Sequence, residues 1–199
     1  MSHEDVISNE QHLLDVISGQ RFLKMEGLGN EVPFFIYPFE PEDALAVAES
    51  RRRLKNKLAT QGVAVFEIDL YELSVEILKE RGVWDRVLAA ESDQGKADFR
   101  EILQGMLDPE QHIAPAIRDR LAAASYDVFF LTGIGEVFPY IRSHNVLNNL
   151  QTVAAEKPML LFFPGRYEQS DTQGSSLVLF GRLTDDQYYR AKNILEQEA

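Results

Sequence analysis

The chain has 199 residues, of which 45% are hydrophobic; it carries a formal net charge of −12 and contains no cysteine. This composition supports one folded domain with a core and excludes disulfides and thiolate chemistry. A chain this acidic gains little from counterion release, which argues against autonomous duplex-DNA binding. Apolar runs such as VFFL and MLLFF are far shorter than the roughly 18 residues of a membrane span, and we see no signal peptide, so we expect a cytoplasmic protein.

The first third of the sequence predicts two helices and two strands in alternation. EQHLLDVISGQRFL has the apolar spacing of a short amphipathic helix. Its inward-facing residues are expected to be Leu13, Leu14, Val16 and Ile17. The aromatic-rich run over residues 31–37 predicts the first core strand, and Pro38 and Pro41 follow it. VAVFEIDLY is the second strand, with Asp69 at its carboxyl end, where we expect this carboxylate to cap the next helix.

Between these two strands, residues 41–60 predict a long helix. Pro41 suits the first turn, Glu42 and Asp43 follow where the helix dipole favours anions, and Gly62 ends the helix. The residues expected to be buried are Ala44, Val47, Ala48, Leu54 and Leu58. Three consecutive arginines, Arg51–Arg53, point about 100° apart on a helix and therefore form no single basic patch.

Residues 72–124 are helix-rich and too long for a simple crossover, which predicts a helical insertion within a domain that spans residues 1–199. Asp108 and Pro109 have the pattern of an N-cap and first-turn proline. Pro115 predicts a kink or a restart of the helix that follows.

The last third predicts three further strands and a terminal helix. YDVFFLTG and PMLLFFPG are the third and fourth strands, SSLVLFG is an edge strand, and Thr184 and Gln187 have capping-box spacing before a terminal helix. Strands that alternate with helices and are apolar throughout favour a parallel sheet covered on both faces. The predicted fold class is α/β: a three-layer, mostly parallel sheet of four to five strands flanked by helices, Rossmann-like or degenerate P-loop-like.

In such a sheet, ligands bind at the carboxyl ends of the strands. The four predicted ends are residues 37–39, Asp69, residues 132–136 and residues 164–167. No glycine-rich phosphate loop follows the first strand, because YPFEPEDA has neither glycine nor lysine. Gly133 and Gly135 lack the third glycine of the dinucleotide fingerprint, and we interpret them as a sharp turn from strand into helix. The four histidines have no metal-ligand spacing.

Residues 136–154 predict a helix whose faces differ in chemistry. The side facing the sheet should carry Tyr140, Val146, Leu147, Leu150 and Ala154. Arg142, Asn145 and Asn149 gather within about 60° on another side, an arrangement that suits a partner interface better than catalysis. His144 lies on the opposite flank, where we interpret it as a structural histidine.

Three stretches resemble the BrxB family of BREX bacteriophage-exclusion operons. They are RFLKMEGLGNEVPFFIYPF, LTGIGEVFPYIRSHNVLNNLQ, and LFFPGRYEQ with GSSLVLFGRLTDDQYYRA, so the likeness extends over about residues 22–195. The motif positions are Gly133, Gly135, Glu136, Pro139, Arg142, His144, Asn145, Asn148, Asn149, Pro164, Gly165, Gly181 and Arg182. The resemblance establishes none of them as catalytic. It implies a prokaryotic defence component acting beside a BrxC or PglY P-loop ATPase, a PglZ phosphatase-superfamily protein, a PglX methyltransferase and usually a Lon-like protein or helicase.

The strand-Thr-Gly-x-Gly-Glu arrangement also resembles the second-carboxylate strand of P-loop ATPases. Thr132 stands where a magnesium-orienting acid would be wanted. By this analogy the sheet is that of an ATPase without its phosphate loop.

Two hypotheses follow for function. The first is a non-catalytic adaptor that uses no cofactor or metal and holds a BREX enzyme, the PglZ-type protein ahead of the BrxC or PglY ATPase; whether the chain also forms a homodimer is left open. Its predicted partner-binding residues are Tyr37, Phe39, Tyr140, Arg142, Asn145, Asn149, Arg166 and Tyr167, with Gly133, Gly135 and Gly165 as turn glycines. The alternative is a protein that senses or hydrolyses nucleotides. Its site would consist of Asp69, Glu136, Arg142, His144 and Arg166, since arginines can receive phosphate without a glycine loop.

Overall fold

The computed structural model describes residues 3–26, 33–154, 156–170, 174–185 and 191–198. The amino-terminal elements are α1 (His3–Ser18), α2 (Gln20–Leu23), β1 (Phe34–Phe39), α3 (Ala44–Thr60) and β2 (Val65–Asp69). The helical stretch comprises α4 (Leu70–Glu80), α5 (Trp84–Asp93), α6 (Lys96–Met106) and α7 (Ala114–Ala123). The remaining elements are β3 (Val128–Thr132), α8 (Ser143–Leu150), β4 (Met159–Ser170), β5 (Gly174–Leu179), β6 (Leu183–Asp185) and β7 (Lys192–Asn193).

The main sheet is parallel, with the strand order β2-β3-β4-β1-β7. β4 pairs with β1 on one side and with β3 on the other, all in parallel register. The predicted mostly parallel α/β sheet is therefore confirmed. In the Rossmann order the first two strands are neighbours, whereas here β3 and β4 lie between them. The sheet therefore does not have the Rossmann order.

Alternate side chains of the strands enter two separate cores, which produces three layers. Phe35, Tyr37, Val128, Phe130 and Phe162 pack with residues of α1 and α3 on one face. The opposite face packs against α4–α8 and presents Phe34, Ile36, Phe129, Leu131, Leu161 and Phe163. Both faces are covered, which explains why the strand sequences are apolar throughout.

The second half of β4 leaves the parallel sheet and forms an antiparallel arm. Residues 165–170 pair with β5, and β5 pairs in turn with β6. The prediction that SSLVLFG is an edge strand is therefore wrong, because β5 lies between two strands. The prediction of a terminal helix is also wrong for those of its residues that the structure describes. β6 and β7 are strands, and Ile194–Glu196 forms a 3-10 turn, while residues 186–190, which include Gln187, lie outside the described residues.

The helical stretch follows the predicted capping pattern. The Asp108 side chain accepts hydrogen bonds from the amides of Glu110 and Gln111. A π-helical turn, Pro109–Ile113, precedes α7, which begins at Ala114 beside Pro115. This agrees with the predicted restart.

No described helix combines the length and the apolarity needed to cross a bilayer.

The predicted helix over residues 136–154 is shorter than expected. Residues 134–140 form turns, the Phe138–Pro139 peptide is cis, and α8 begins only at Ser143. Pro139 has no amide hydrogen and disfavours helical geometry in the residue before it. Tyr140 is therefore not a residue of the helix. The other predicted inward residues are buried as expected: Val146, Leu147, Leu150 and Ala154.

Helix α3 is fixed to α1 by a buried carboxylate. Glu10 is 4% exposed and accepts hydrogen bonds from Ser50, Arg53 and Lys57 at 2.8–3.0 Å. Ser50 is consequently buried, although the sequence pattern did not mark it. Ala44, predicted to be buried, is exposed, and Ala48 is half-buried.

The stability that the Glu10 carboxylate contributes should depend on pH. Burial alone raises the pKa of Glu10, but the hydrogen bonds from Lys57, Arg53 and Ser50 together outweigh it and hold the pKa below its ordinary value of 4.5. The stabilisation is therefore fully present above pH 4.5 and is lost as the pH falls further. We expect Glu10→Gln to lower the free energy of unfolding by about 2 kcal/mol at pH 7. Urea denaturation at pH 7 and pH 3 measures both values, and the difference should shrink at pH 3.

The matched control is Glu49→Gln, which also removes an acid that contacts Arg53. The Glu49 carboxylate is largely exposed and lies 4.0 Å from the guanidinium. An exposed pair contributes less than about 0.5 kcal/mol. Equal losses in the two variants would contradict the structural role of Glu10.

Candidate functional site

The carboxyl ends of β1, β2 and β3 meet the end of the parallel part of β4, at Pro164, along one edge of the sheet, which we call the carboxyl rim. A cleft of about 310 Å³ lies there, between the start of α3 and the β5–β6 turn. We call it the rim cleft. Its lining residues are Phe39, Pro41, Ala44, Val47, Ala48, Arg51, Asp69, Thr132, Gly133, Ile134, Gly135, Glu136, Phe162, Pro164 and Phe180.

Asp69 ends β2 and caps α4, as predicted. One carboxylate oxygen accepts the amides of Tyr71 and Glu72 at 2.9 and 3.2 Å. The other accepts the hydroxyl of Thr132 at 2.8 Å, which ties β2 to β3. Both oxygens have hydrogen-bond donors, so the geometry gives Asp69 a structural role.

The link between Asp69 and Thr132 makes a measurable prediction. Thr132 is buried, and without the carboxylate its hydroxyl loses its acceptor. We expect Asp69→Ala to lower the free energy of unfolding by about 2 kcal/mol, because a cap and a buried hydrogen bond are lost together. Asp108→Ala removes a cap of the same kind without a buried hydroxyl, so its cost should be about 1 kcal/mol. Thermal denaturation compares them, and equal losses would contradict the role of Thr132.

Gly133 and Gly135 allow the backbone at the rim cleft to pass close to neighbouring residues. Gly133 has φ +78°, and a Cβ atom there would lie 2.6 Å from Oδ1 of Asp69. A Cβ atom at Gly135 would lie 2.9 Å from Cγ of Pro164 and 3.1 Å from the Phe180 ring. The glycines therefore allow the sharp turn that the sequence predicted. The turn leads into residues 134–140 and not directly into a helix.

The start of α3 lacks the features that bind phosphate. A 3-10 turn, Pro41–Asp43, leads into α3; Pro41 has no amide hydrogen, and Glu42 and Asp43 would bring negative charge towards a phosphate bound there. Arg51, a basic residue of the cleft lining, lies 3.2 Å from Glu67 and 5.4 Å from the centre of the Phe162 ring. Lys55 lies 2.7 Å from the same carboxylate, so Glu67 faces two cations and balances the charge of Arg51 only in part.

The structure separates the predicted partner-binding residues into different places. Tyr37 is 2% exposed and packs edge-on against Phe162, so it is not available to a partner. Its phenol accepts a hydrogen bond from Asn9 at 3.4 Å. Burial raises the pKa of Tyr37 above its ordinary value. Phe39 is 9% exposed and lines the rim cleft.

Arg166 and Tyr167 lie on the arm. With Phe39 they line a groove of about 250 Å³ between the end of β1 and the arm. Nε of Arg166 lies 3.3 Å from Glu168, and the Tyr167 hydroxyl donates to the carbonyl of Ala191 at 2.6 Å. The arginine is exposed, whereas the tyrosine is half-buried by this contact.

Arg142, Asn145 and Asn149 do not form the helix face that the sequence predicted. Arg142 precedes α8 as its N-cap residue, and the Asn149 side chain donates to the carbonyl of Asn145 at 2.7 Å. Tyr140 packs edge-on against Phe99, with ring centres 6.4 Å apart. Arg142 and Asn145 are exposed, but neither they nor Asn149 line the rim cleft.

The five residues of the alternative nucleotide site are not gathered in one place. Asp69 and Glu136 line the rim cleft, whereas Arg166 lines the groove beside β4. Arg142 and His144 lie at the start of α8 and line neither. In the described part of the chain, no group of three or more histidine and acidic residues has an arrangement that could hold a metal ion.

Sequence reasoning missed the exposed apolar side chains of the carboxyl rim. Leu45 on α3 is 84% exposed, and Leu183 on β6 is 41% exposed. Leu183 lines a depression of about 410 Å³ beside the rim cleft, together with Phe180, Arg182, Pro41, Glu40 and Glu42. The available signal was the position of Leu45, which lies outside the apolar stripe formed by Val47, Leu54 and Leu58.

The family model and the similar proteins that match this chain all carry the same family name. The family model described as BREX protein BrxB matches residues 66–194. A Bacillus cereus (strain H3081.97) protein named BREX protein BrxB is 37% identical over 194 residues, covering 93% of this chain and 95% of the relative. The chain belongs to the BrxB family. An Escherichia coli O9:H4 (strain HS) BrxB protein is 31% identical over 175 residues, covering 88% of this chain and 84% of the relative. No solved structure matches the chain significantly.

Proposed function

We propose that this BrxB-family chain is a non-catalytic adaptor of a BREX bacteriophage-defence complex and holds a partner enzyme at its carboxyl rim. Family membership makes the chain a BREX component. The adaptor role and the partner are the proposal: the PglZ-type protein is the first choice and the BrxC or PglY ATPase the second.

The observation that supports this proposal is the exposed apolar surface of the carboxyl rim. Leu183 lines the depression beside a cleft whose floor is aromatic, and Leu45 is an exposed leucine in the first turn of α3, the helix whose residue Ala44 lines that cleft. Exposed apolar side chains grouped beside a cleft are a common feature of protein-binding surfaces. The acids Glu42 and Asp43, in the 3-10 turn before α3, occupy the place where a nucleotide-binding sheet presents amides to phosphate. The rim therefore suits a protein better than a triphosphate.

Leu45→Glu tests the adaptor role. The side chain is 84% exposed, so the substitution should leave the fold intact and introduce a charge into the proposed interface. We expect affinity for the partner to fall at least about tenfold, the loss of a modest hot spot. The measurement is co-purification of the tagged chain with its operon neighbours, followed by titration of the captured partner.

Leu88→Glu is the matched control, because Leu88 is an exposed leucine of α5, a helix that contributes no residue to the lining of the rim cleft, whereas α3 contributes four. It should retain the partner. Failure of the wild-type chain to capture any neighbour at micromolar concentration would contradict the adaptor role. Equal loss in both leucine variants would place the interface elsewhere.

The alternative function, nucleotide sensing or hydrolysis, draws support from the position of the rim cleft, since open α/β sheets bind ligands at these strand ends. A ligand at 100 times its dissociation constant stabilises the fold by about 2.7 kcal/mol. Thermal denaturation with ATP or GTP and magnesium therefore separates the two functions. The adaptor proposal expects no shift at millimolar nucleotide.

A further inference from the structure

We propose that the rim cleft receives an apolar, preferably aromatic, side chain from a partner segment that carries lysine or arginine beside it. This inference rests on the adaptor function and specifies the chemistry of the partner. It follows from the lining, the size and the charge of the cleft.

The lining of the rim cleft favours an apolar occupant. Val47 and Phe162 form buried parts of its floor, and Phe39 and Phe180 add aromatic surface. Asp69 and Thr132 are engaged with each other at 2.8 Å, and Asp69 also caps α4. Apolar surface, not hydrogen bonding to this pair, therefore provides the main attraction.

The size of the rim cleft fits a side chain better than a large ligand. Its volume of about 310 Å³ is at the lower end of the roughly 300–1,000 Å³ range of small-molecule sites. The walls are closely packed, because Gly135 lies against Pro164 and the Phe180 ring with no room for a Cβ atom. A closely packed apolar cleft of this size suits an aromatic anchor, the residue type that dominates binding energy at interfaces.

Charge around the rim cleft favours cations beside the anchor. Glu136 lines the cleft, and Glu40 and Glu42 line the adjoining depression. Arg51 shares the Glu67 carboxylate with Lys55, so it offsets these acids in part, but the two linings also include Asp69 and the acids remain in excess. Arg182 at the far side of the depression is the opposing cation in that lining. The acidic excess, together with a net charge of −12, favours a basic segment over an acidic one or a phosphate.

Selection of displayed peptides on the purified full-length chain tests this chemistry. The library is a set of random dodecapeptides, and binding is measured afterwards for individual synthetic peptides. We expect enrichment of peptides with Trp, Phe, Tyr or Leu next to Lys or Arg. Ala48→Trp places an indole in the cleft from α3 and should weaken their binding at least about tenfold. Ala59→Trp, at an exposed position near the end of α3, should leave binding unchanged.

Each other outcome of the selection overturns the inference. Enrichment of acidic peptides, absence of enrichment, or peptides whose binding survives Ala48→Trp would each contradict it. Sedimentation of the chain as a dimer that Ala48→Trp dissociates would assign the cleft to a second copy. The adaptor function is judged separately. If operon neighbours still co-purify with Ala48→Trp, the adaptor role stands and the cleft is not the anchor site. If none co-purifies with the wild-type chain, the adaptor role itself fails.

Discussion

Gly133→Ala is expected to lower the free energy of unfolding by about 3 kcal/mol. Two costs combine at this position. The left-handed φ of +78° costs a residue with a Cβ atom about 1–2 kcal/mol. The Cβ atom would also lie 2.6 Å from Oδ1 of Asp69 and 2.8 Å from the amide nitrogen of Leu70, and relieving such overpacking costs about 1–3 kcal/mol.

Gly62→Ala separates these two costs. Gly62 has nearly the same φ, +80°, but a Cβ atom there would meet nothing within 4 Å. It should therefore lose only about 1 kcal/mol, the conformational part. Urea denaturation of the two variants provides the comparison. Equal losses would show that the contact between Gly133 and Asp69 has no energetic consequence.

Gly165→Ala should be as damaging, because β4 and β5 lie too close at this position to leave room for a side chain. A Cβ atom at this position would lie 2.2 Å from the carbonyl oxygen of Val178 and 2.9 Å from the Phe163 ring. The antiparallel arm cannot keep its register without a backbone shift, and we expect a loss of about 3 kcal/mol. Thermal denaturation measures it.

The control for the arm is Gly181→Ala. Gly181 lies in the β5–β6 turn at φ +66°, with open space where a Cβ atom would be. Its loss should stay near 1 kcal/mol. Gly165→Ala with no greater loss than Gly181→Ala would contradict the close packing of the arm at the rim.

Local signals in the sequence predicted much of the parallel sheet. The apolar runs gave β1–β4, and the caps Asp69 and Asp108 were recognisable because capping depends on residues only two or three positions apart. Leu54, Leu58 and Val47 followed from helical periodicity. These features are encoded by neighbours along the chain, so a single sequence is sufficient to find them.

Features that depend on distant residues were missed. Ser50 can be buried because its hydroxyl donates a hydrogen bond to Glu10, 40 residues earlier. The capping-box spacing of Thr184 favoured a helix, but Thr184 belongs to β6, whose pairing with β5 decides its conformation. Tertiary pairing overrides a local propensity worth a fraction of a kcal/mol. The rim cleft likewise forms only in the folded chain, where residues of α3 and Phe180 of the β5–β6 turn line it together.

Hydrogen–deuterium exchange of the chain, alone and bound to its captured BREX partner, tests most directly whether the carboxyl rim holds a protein. We predict that binding slows exchange by at least about tenfold in peptides covering the start of α3 and the β5–β6 turn. Exchange in α5 should not change. Protection confined to the helical stretch, or rim protection produced by magnesium-ATP without any partner, would contradict the account.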